Sequence, residues 1–133
     1  MSAYVLDASV ALTWLFGDGA DPVAESALDR LSGDTALVPP VWGLEVANGL
    51  VVAERAGKNT EARSIRFMEL LAALPIERGP DAEPIDLAAL GRRAGTSVYD
   101  ASYLDLALRQ GLPLATLDKR LAKAAQALGI ALL

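Results

Sequence analysis

Two aspartates of the sequence follow short apolar runs and could act together on a substrate. Asp7 comes directly after Tyr4-Val5-Leu6, and Asp118 comes two residues after Leu114-Ala115-Thr116. Short apolar runs of this kind are typical of strands buried in a parallel sheet, where ligands bind beyond the carboxyl ends of the strands. Each aspartate could instead be an ordinary helix N-cap, which stabilises a helix by about 1 kcal/mol. The runs alone leave both interpretations open.

Two further acids lie in the first turns of predicted helices. Glu45 falls in a helix predicted over 41–56 and has apolar neighbours on both sides in the sequence. Asp100 shares a helical face with Leu104 and Ala107, at spacings of four and seven residues. That face should point at the core, where an unpaired carboxylate is costly to bury. We therefore expect Asp100 to have a partner, either an arginine or a metal ion, whereas Glu45 could also be a solvated side chain.

The composition restricts the chemistry that these acids could perform. The chain contains no histidine and no cysteine, which excludes a Ser-His-Asp triad, a histidine general base, disulfides and the common zinc sites. Oxygen ligands favour hard ions such as Mg²⁺ or Mn²⁺. Such an ion keeps clustered carboxylates ionised, and it can activate a bound water and stabilise charge on a phosphoryl oxygen. The sequence therefore predicts a metal site for phosphodiester hydrolysis at Asp7, Glu45, Asp100 and Asp118.

The charge balance neither requires nor excludes a nucleic-acid substrate. The net charge of −5, from 12 Lys+Arg against 17 Asp+Glu, argues mildly against one because phosphates are usually met by a basic surface. Basic residues nevertheless lie close to the acids in sequence, and a local basic rim could guide an RNA backbone. They could equally be solvated helix faces. The candidate RNA contacts are Arg92, Arg93, Lys119 and Arg120, with Lys123 one turn further on.

Apolar runs alternate with longer helical patterns along the chain, which indicates an α/β fold with a parallel sheet covered on both faces. The predicted strands are 4–6, 36–38, 74–76, 114–116 and 130–133. A length of 133 residues with 53% hydrophobic residues fits one domain over 1–133. Neither a membrane span of roughly 18 apolar residues nor a signal peptide is recognisable, so we expect a cytoplasmic protein without membrane contact.

Four stretches of the sequence closely resemble, in order and spacing, the motifs of the PIN-domain nucleases, and within them the VapC-type toxins of prokaryotic toxin–antitoxin pairs. The stretches are VLDAS at 5–9, PVWGLEVAN at 40–48, SVYDASYLDLA at 97–107 and LATLDKRL at 114–121. No single stretch is decisive, but four in the right order are specific, and together they extend over essentially the whole chain.

The resemblance implies more than the residues show by themselves. It implies a three-layer α/β/α sandwich around a parallel sheet of about five strands, and an endoribonuclease that uses Mg²⁺ or Mn²⁺. It also implies a homodimer that a cognate antitoxin protein silences. The four acids match the acidic quartet of the family, with Asp7 and Asp100 as the foremost metal ligands. Ser9, Asn48 and Thr116 match polar positions that hydrogen-bond around the site.

Two alternatives come from other classes of protein. A non-catalytic, Mg²⁺-binding regulatory domain that resembles a receiver domain would normally carry a pair of acids after the first strand, and here Asp7 stands alone. A metal-dependent phosphatase, or a nuclease acting on DNA, is the third possibility. Phosphatases of the haloacid dehalogenase type place a second Asp two residues after the first, and position 9 is Ser9.

Overall fold

The computed structural model describes residues 2–133, which form seven helices and four strands. In chain order the elements are β1 (Ala3–Leu6), α1 (Ala8–Phe16), α2 (Pro22–Arg30), β2 (Thr35–Val38), α3 (Val41–Arg55), α4 (Glu61–Ala72), β3 (Ile76–Arg78), α5 (Pro84–Ala94), α6 (Val98–Gln110), β4 (Leu114–Ala115) and α7 (Lys119–Ala127). None of the helices in this part of the chain is both long enough and apolar enough to cross a membrane.

The strands form one parallel sheet in the order β3-β2-β1-β4, with helices on both faces. Side chains alternate between the faces of a strand, and β1 shows the consequence. Tyr4 and Leu6 enter a core that α1 and α2 cover, whereas Val5 enters a second core with α6 and α7. All three side chains are fully buried. The predicted α/β class, with a helix layer on each side of the sheet, is confirmed.

The sheet has four strands among residues 2–133 rather than the five that were expected. The segment 130–133 contributes an isolated bridge between Leu132 and Leu114. Its partner β4 is only two residues long because Pro113, with no N–H, precedes it and Thr116 leaves the sheet after it. A two-residue strand offers too short a ladder for a regular fifth strand. The third strand also begins later than predicted, at Ile76, directly after a proline.

Local signals set the ends of the helix that carries Asp100. The Ser97 hydroxyl accepts a hydrogen bond of 3.0 Å from the Asp100 N–H, so Ser97 is the N-cap that starts α6. Gly111 ends the helix with φ +65°, a left-handed conformation that glycine adopts without the cost of a Cβ. Both ends of α6 are therefore set by residues that directly adjoin the helix.

Candidate active site

The pairing of β1 with β4 brings two distant parts of the chain to one point at the carboxyl edge of the sheet. Leu6 pairs with Ala115, and the Asp7 N–H donates to the Ala115 carbonyl at 3.0 Å. Asp7 and Thr116 therefore leave the sheet side by side. The chain crosses from β1 to β2 on one side, while β4 lies on the other, so this point is where the strand order reverses. Ligands of open α/β sheets bind in such a crevice.

The Asp7 side chain faces this crevice instead of capping a helix. Asp7 occupies the N-cap position of α1, yet its side chain makes no capping hydrogen bond. Its Oδ2 accepts one hydrogen bond from the Ser9 hydroxyl at 2.6 Å and another from the Thr116 hydroxyl at 2.7 Å. The residue is only 6% exposed. The interpretation of Asp7 as an ordinary cap is therefore wrong, and two of the three predicted polar partners surround it.

Asp118 is joined to Asp7 through Thr116. The Thr116 hydroxyl donates to Asp7 and accepts a hydrogen bond of 3.0 Å from the Asp118 N–H. The Asp118 side chain itself caps α7, since its Oδ1 accepts from the N–H groups of Arg120 and Leu121 at 2.9 and 3.2 Å. Asp118 is thus both an N-cap and an exposed acid at the crevice. The two interpretations that the sequence left open are compatible at this residue.

Glu45 reaches the same region from α3, and its partner is a residue that the sequence analysis did not select. The hydroxyl of Tyr103 donates to Glu45 Oε1 at 2.6 Å. Tyr103 is fully buried, so a polar partner for its hydroxyl is expected. Its position three residues after Asp100 places it on the same helical face as that acid. This spacing was a usable signal, but it could not identify Glu45 as the partner.

Burial and mutual repulsion disturb the protonation of three of the four acids. Burial is the largest cause that raises the pKa of Asp7, and the hydrogen bonds from Ser9 and Thr116 oppose it. Burial, and after it the charges of Asp7 and Asp100, raise the pKa of Glu45, while the Tyr103 hydrogen bond acts in the opposite direction.

Asp100 completes this electrostatic group. Burial again has the largest effect, and the negative charges of Asp118 and Asp7 also raise the pKa of Asp100. The ion pairs found among residues 2–133 are Arg30–Asp34, Arg78–Asp81 and Arg109–Asp105, and none of them involves the four acids. The arginine partner considered for Asp100 is not found in this part of the chain.

This donor set suits a hard divalent cation in its chemistry. Partly buried carboxylates that raise one another's pKa gain most from a positive charge, and carboxylate oxygens are the ligands that Mg²⁺ and Mn²⁺ prefer. In the described residues, no group of three or more Asp or Glu side chains is already arranged to hold an ion. The four acids therefore influence one another electrostatically without forming a closed coordination shell.

The remaining predicted site residues are one asparagine and four basic residues. Asn48 is exposed on α3 and makes no side-chain hydrogen bond to another described residue, so its role stays a prediction. Arg120 lines a groove that Asp100 also lines. Arg92, Arg93 and Lys119 are exposed and lie outside that groove.

A more apolar cavity of about 330 Å³ lies beyond the ends of β2 and β3, and none of the four acids lines it.

Comparisons with known proteins place the chain in one family. The PIN-domain family model matches residues 4–127. The chain is 29% identical to Ribonuclease VapC12 of Mycobacterium tuberculosis over 119 residues, which cover 90% of this chain and 89% of that protein.

Solved structures show the same fold at lower identity. PAE2754 from Pyrobaculum aerophilum superposes with a TM-score of 0.74 at 20% identity, covering 96% of this chain and 92% of that one. VapBC2 from Rickettsia felis, solved with a DNA fragment from its promoter, has a TM-score of 0.67 at 11% identity, covering 98% and 97%. The resemblance to VapC-type proteins drawn from the four sequence stretches is thus confirmed. With a domain match that extends from β1 to the end of α7, the chain belongs to the PIN-domain family.

Proposed function

We propose that this protein is a Mg²⁺- or Mn²⁺-dependent endoribonuclease and the toxin of a VapBC-type toxin–antitoxin pair. The observation that carries the proposal is a set of partly buried carboxylates that raise one another's pKa and have no basic partner among residues 2–133. They lie at the carboxyl edge of a parallel sheet in a PIN domain. The family match favours this function over the receiver-like alternative and over a phosphatase.

Asp7 and Asp100 would hold the ion, with Glu45 and Asp118 completing its surroundings. When bound, the ion would lower the pKa of a water and stabilise charge on the phosphoryl group. The rest of the site keeps these carboxylates in place. Because Ser9 and Thr116 both donate to Asp7 Oδ2, they hold the carboxylate in the orientation in which it would bind the ion.

The remaining protein groups limit the movement of the other two acids. Tyr103 donates to Glu45 Oε1 and so restrains the Glu45 carboxylate. Asp118 is restrained by its two capping bonds through Oδ1. Carboxylates that the protein already holds in place would limit the ordering cost of binding an ion.

The partners that we propose rest on the resemblance to VapC-type proteins. They are an RNA substrate, a cognate antitoxin protein and a second copy of the chain in a homodimer, acting in the cytoplasm. The relatives support this proposal by their names, since one is called a ribonuclease and another was solved as VapBC2.

The activity is tested by incubating the purified protein with total RNA in the presence of Mn²⁺, Mg²⁺ or EDTA. We expect cleavage with either ion and none with EDTA. Asp100→Asn should abolish cleavage while the protein remains folded, as judged by circular dichroism. Asp105→Asn is the matched control, because Asp105 lies on the same helix and is paired with Arg109 at 2.7 Å. Full activity of Asp100→Asn, or equal loss in both variants, would contradict the assignment.

A further inference from the structure

A groove runs from Asp100 along one side of α7. Its walls are Ser97 and Asp100 at the start of α6 and Arg120, Lys123 and Ala127 on α7, and its volume is about 590 Å³. We refer to it as the α6–α7 groove. The α7 residues are spaced by three and four positions, so they form one helical face. The seven steps from Arg120 to Ala127 make this face about 10 Å long.

The groove contains Asp100 of the acidic site and extends along α7. Asp118 is the N-cap of α7, and Arg120 follows it in the first turn. Lys123 lies one turn further on, and Ala127 lies at the end of the helix. The opposite face of α7 is anchored in the core by Leu121 and Ala125, which are both buried. The basic side chains are therefore held on the solvent side by the packing of the helix.

The chemistry of the walls favours a phosphate backbone over a protein partner. Arg120 and Lys123 are exposed, and neither is engaged in an ion pair with a residue of the described chain. The other residues along the groove are small or polar, with no aromatic or large aliphatic side chain. Protein interfaces are enriched in such apolar anchors, whereas nucleic-acid phosphates are bound by arginine, lysine and hydroxyl groups. In a chain with net charge −5, two cations that form no ion pair with a described residue line the same groove as Asp100.

We propose that the α6–α7 groove binds the single-stranded RNA backbone adjoining the scissile phosphate, with Arg120 and Lys123 each contacting one phosphate. The proposal rests on the proposed nuclease function and adds the path of the substrate to it. It also separates the basic residues that the sequence selected. Arg120 and the neighbouring Lys123 contact RNA, whereas Arg92 and Arg93, at the end of α5, do not contact this segment of the strand.

The test compares two double variants that change the net charge equally. Arg120→Gln with Lys123→Gln removes both groove cations, and Arg92→Gln with Arg93→Gln is the control. Binding of a short fluorescein-labelled single-stranded RNA is measured by anisotropy over a range of KCl concentrations in CaCl₂, with a gel to show that the RNA stays intact. Ca²⁺ is the added cation because it also binds carboxylate oxygens.

Each phosphate contact to a single strand contributes about 0.7 to the slope of log affinity against log salt concentration. The groove variant should therefore lose about 1.4 from this slope, and the control should keep the slope of the wild type. The same salt slope in both variants would overturn the groove assignment, whether both keep the wild-type slope or both lose the same amount of it. Loss of a copurifying protein from the groove variant without a change in RNA slope would also overturn it.

Cleavage in Mn²⁺ is measured separately, so that the two proposals can fail independently. A wild-type protein that cleaves RNA, and whose groove variant keeps the full salt slope, refutes the strand path and leaves the nuclease function intact. A wild-type protein that neither binds nor cleaves RNA refutes both.

Discussion

The hydroxyl of Tyr103 and the carboxylate of Glu45 are joined by a hydrogen bond of 2.6 Å that links α6 to α3. Tyr103 is fully buried, and the pKa of its phenol is raised by burial and by this bond to a carboxylate. Tyr103 therefore remains a hydrogen-bond donor throughout the ordinary pH range. It is a positioning residue, since it acts on the site through Glu45.

Tyr103→Phe should weaken both folding and ion binding. Loss of one hydrogen bond to a partly buried carboxylate should cost about 1–2 kcal/mol of unfolding free energy. A freely rotating Glu45 should lower the Mn²⁺ affinity by about 10-fold, since hydrogen-bond partners of metal ligands have effects of this size. Denaturant unfolding and calorimetric titration with Mn²⁺ measure the two quantities.

Tyr4→Phe is the matched control for that variant. The Tyr4 hydroxyl donates to the Ala27 carbonyl at 2.6 Å in the other core, and burial raises the pKa of Tyr4 to about 12. Tyr4→Phe should lose about 1 kcal/mol of stability and keep the Mn²⁺ affinity of the wild type. A drop in ion affinity of equal size in both variants would reduce Tyr103 to a purely structural role.

Asp7→Asn should abolish RNA cleavage and at the same time stabilise the metal-free protein at pH 7. Burial disfavours the charged form of Asp7, and an amide oxygen can still accept from Ser9 and Thr116. The variant therefore keeps the hydrogen bonds and removes the buried charge. The melting temperature in EDTA should rise above that of the wild type. A lower melting temperature for Asp7→Asn in EDTA would show that the charged carboxylate stabilises the fold, and would contradict this prediction.

The gain in unfolding free energy of Asp7→Asn over the wild type should increase with pH. The pKa of Asp7 is raised in the folded state, whereas an unfolded Asp titrates near 3.9. Above this value the folded wild type binds more protons than the unfolded chain, so its unfolding free energy falls as pH rises through the raised pKa. The difference between variant and wild type in EDTA should therefore grow from about pH 4 upward and then level off.

Asp34→Asn should change the unfolding free energy in the opposite direction to Asp7→Asn. Hydrogen bonds from Ser2 and Arg30 lower the pKa of Asp34, so its contribution to stability is present above the ordinary Asp value and is lost as pH falls through the lowered pKa. Asp34→Asn should be less stable than the wild type at pH 7, and the difference should shrink in acid. Parallel pH profiles for the two variants would contradict the burial of Asp7 as the cause.

Thr116→Val should disturb Asp7 and Asp118 together. The Thr116 hydroxyl donates to Asp7 Oδ2 and accepts from the Asp118 N–H, and valine has nearly the same shape without the hydroxyl. We expect the Mn²⁺ affinity to fall by about 10- to 100-fold, measured by the shift in melting temperature on adding Mn²⁺. Thr35→Val, at the start of β2, is the control and should keep the full shift.

Several features of the fold could be predicted because they depend on neighbours in the sequence. The Ser97 cap and the glycine after α6 are local backbone signals that lie next to the helix they limit. The short apolar runs before Asp7 and Asp118 indicated buried strands whose carboxyl ends face one edge. The prediction of a fifth strand was wrong because formation of that strand depended on the length of β4, which Pro113 and Thr116 limit.

By itself the sequence determined which side chains could do chemistry. With no histidine or cysteine, acids after strands and in first helical turns were the remaining candidates, and four motif stretches in order identified the family. Only the tertiary structure decided that Asp7 bonds to Thr116 instead of capping α1, that Tyr103 holds Glu45, and that Arg120 rather than Arg92 lines the same groove as Asp100. These contacts join residues far apart in the chain, and they depend on strand order and on the rotation of each packed helix. Local propensity carries no information about either.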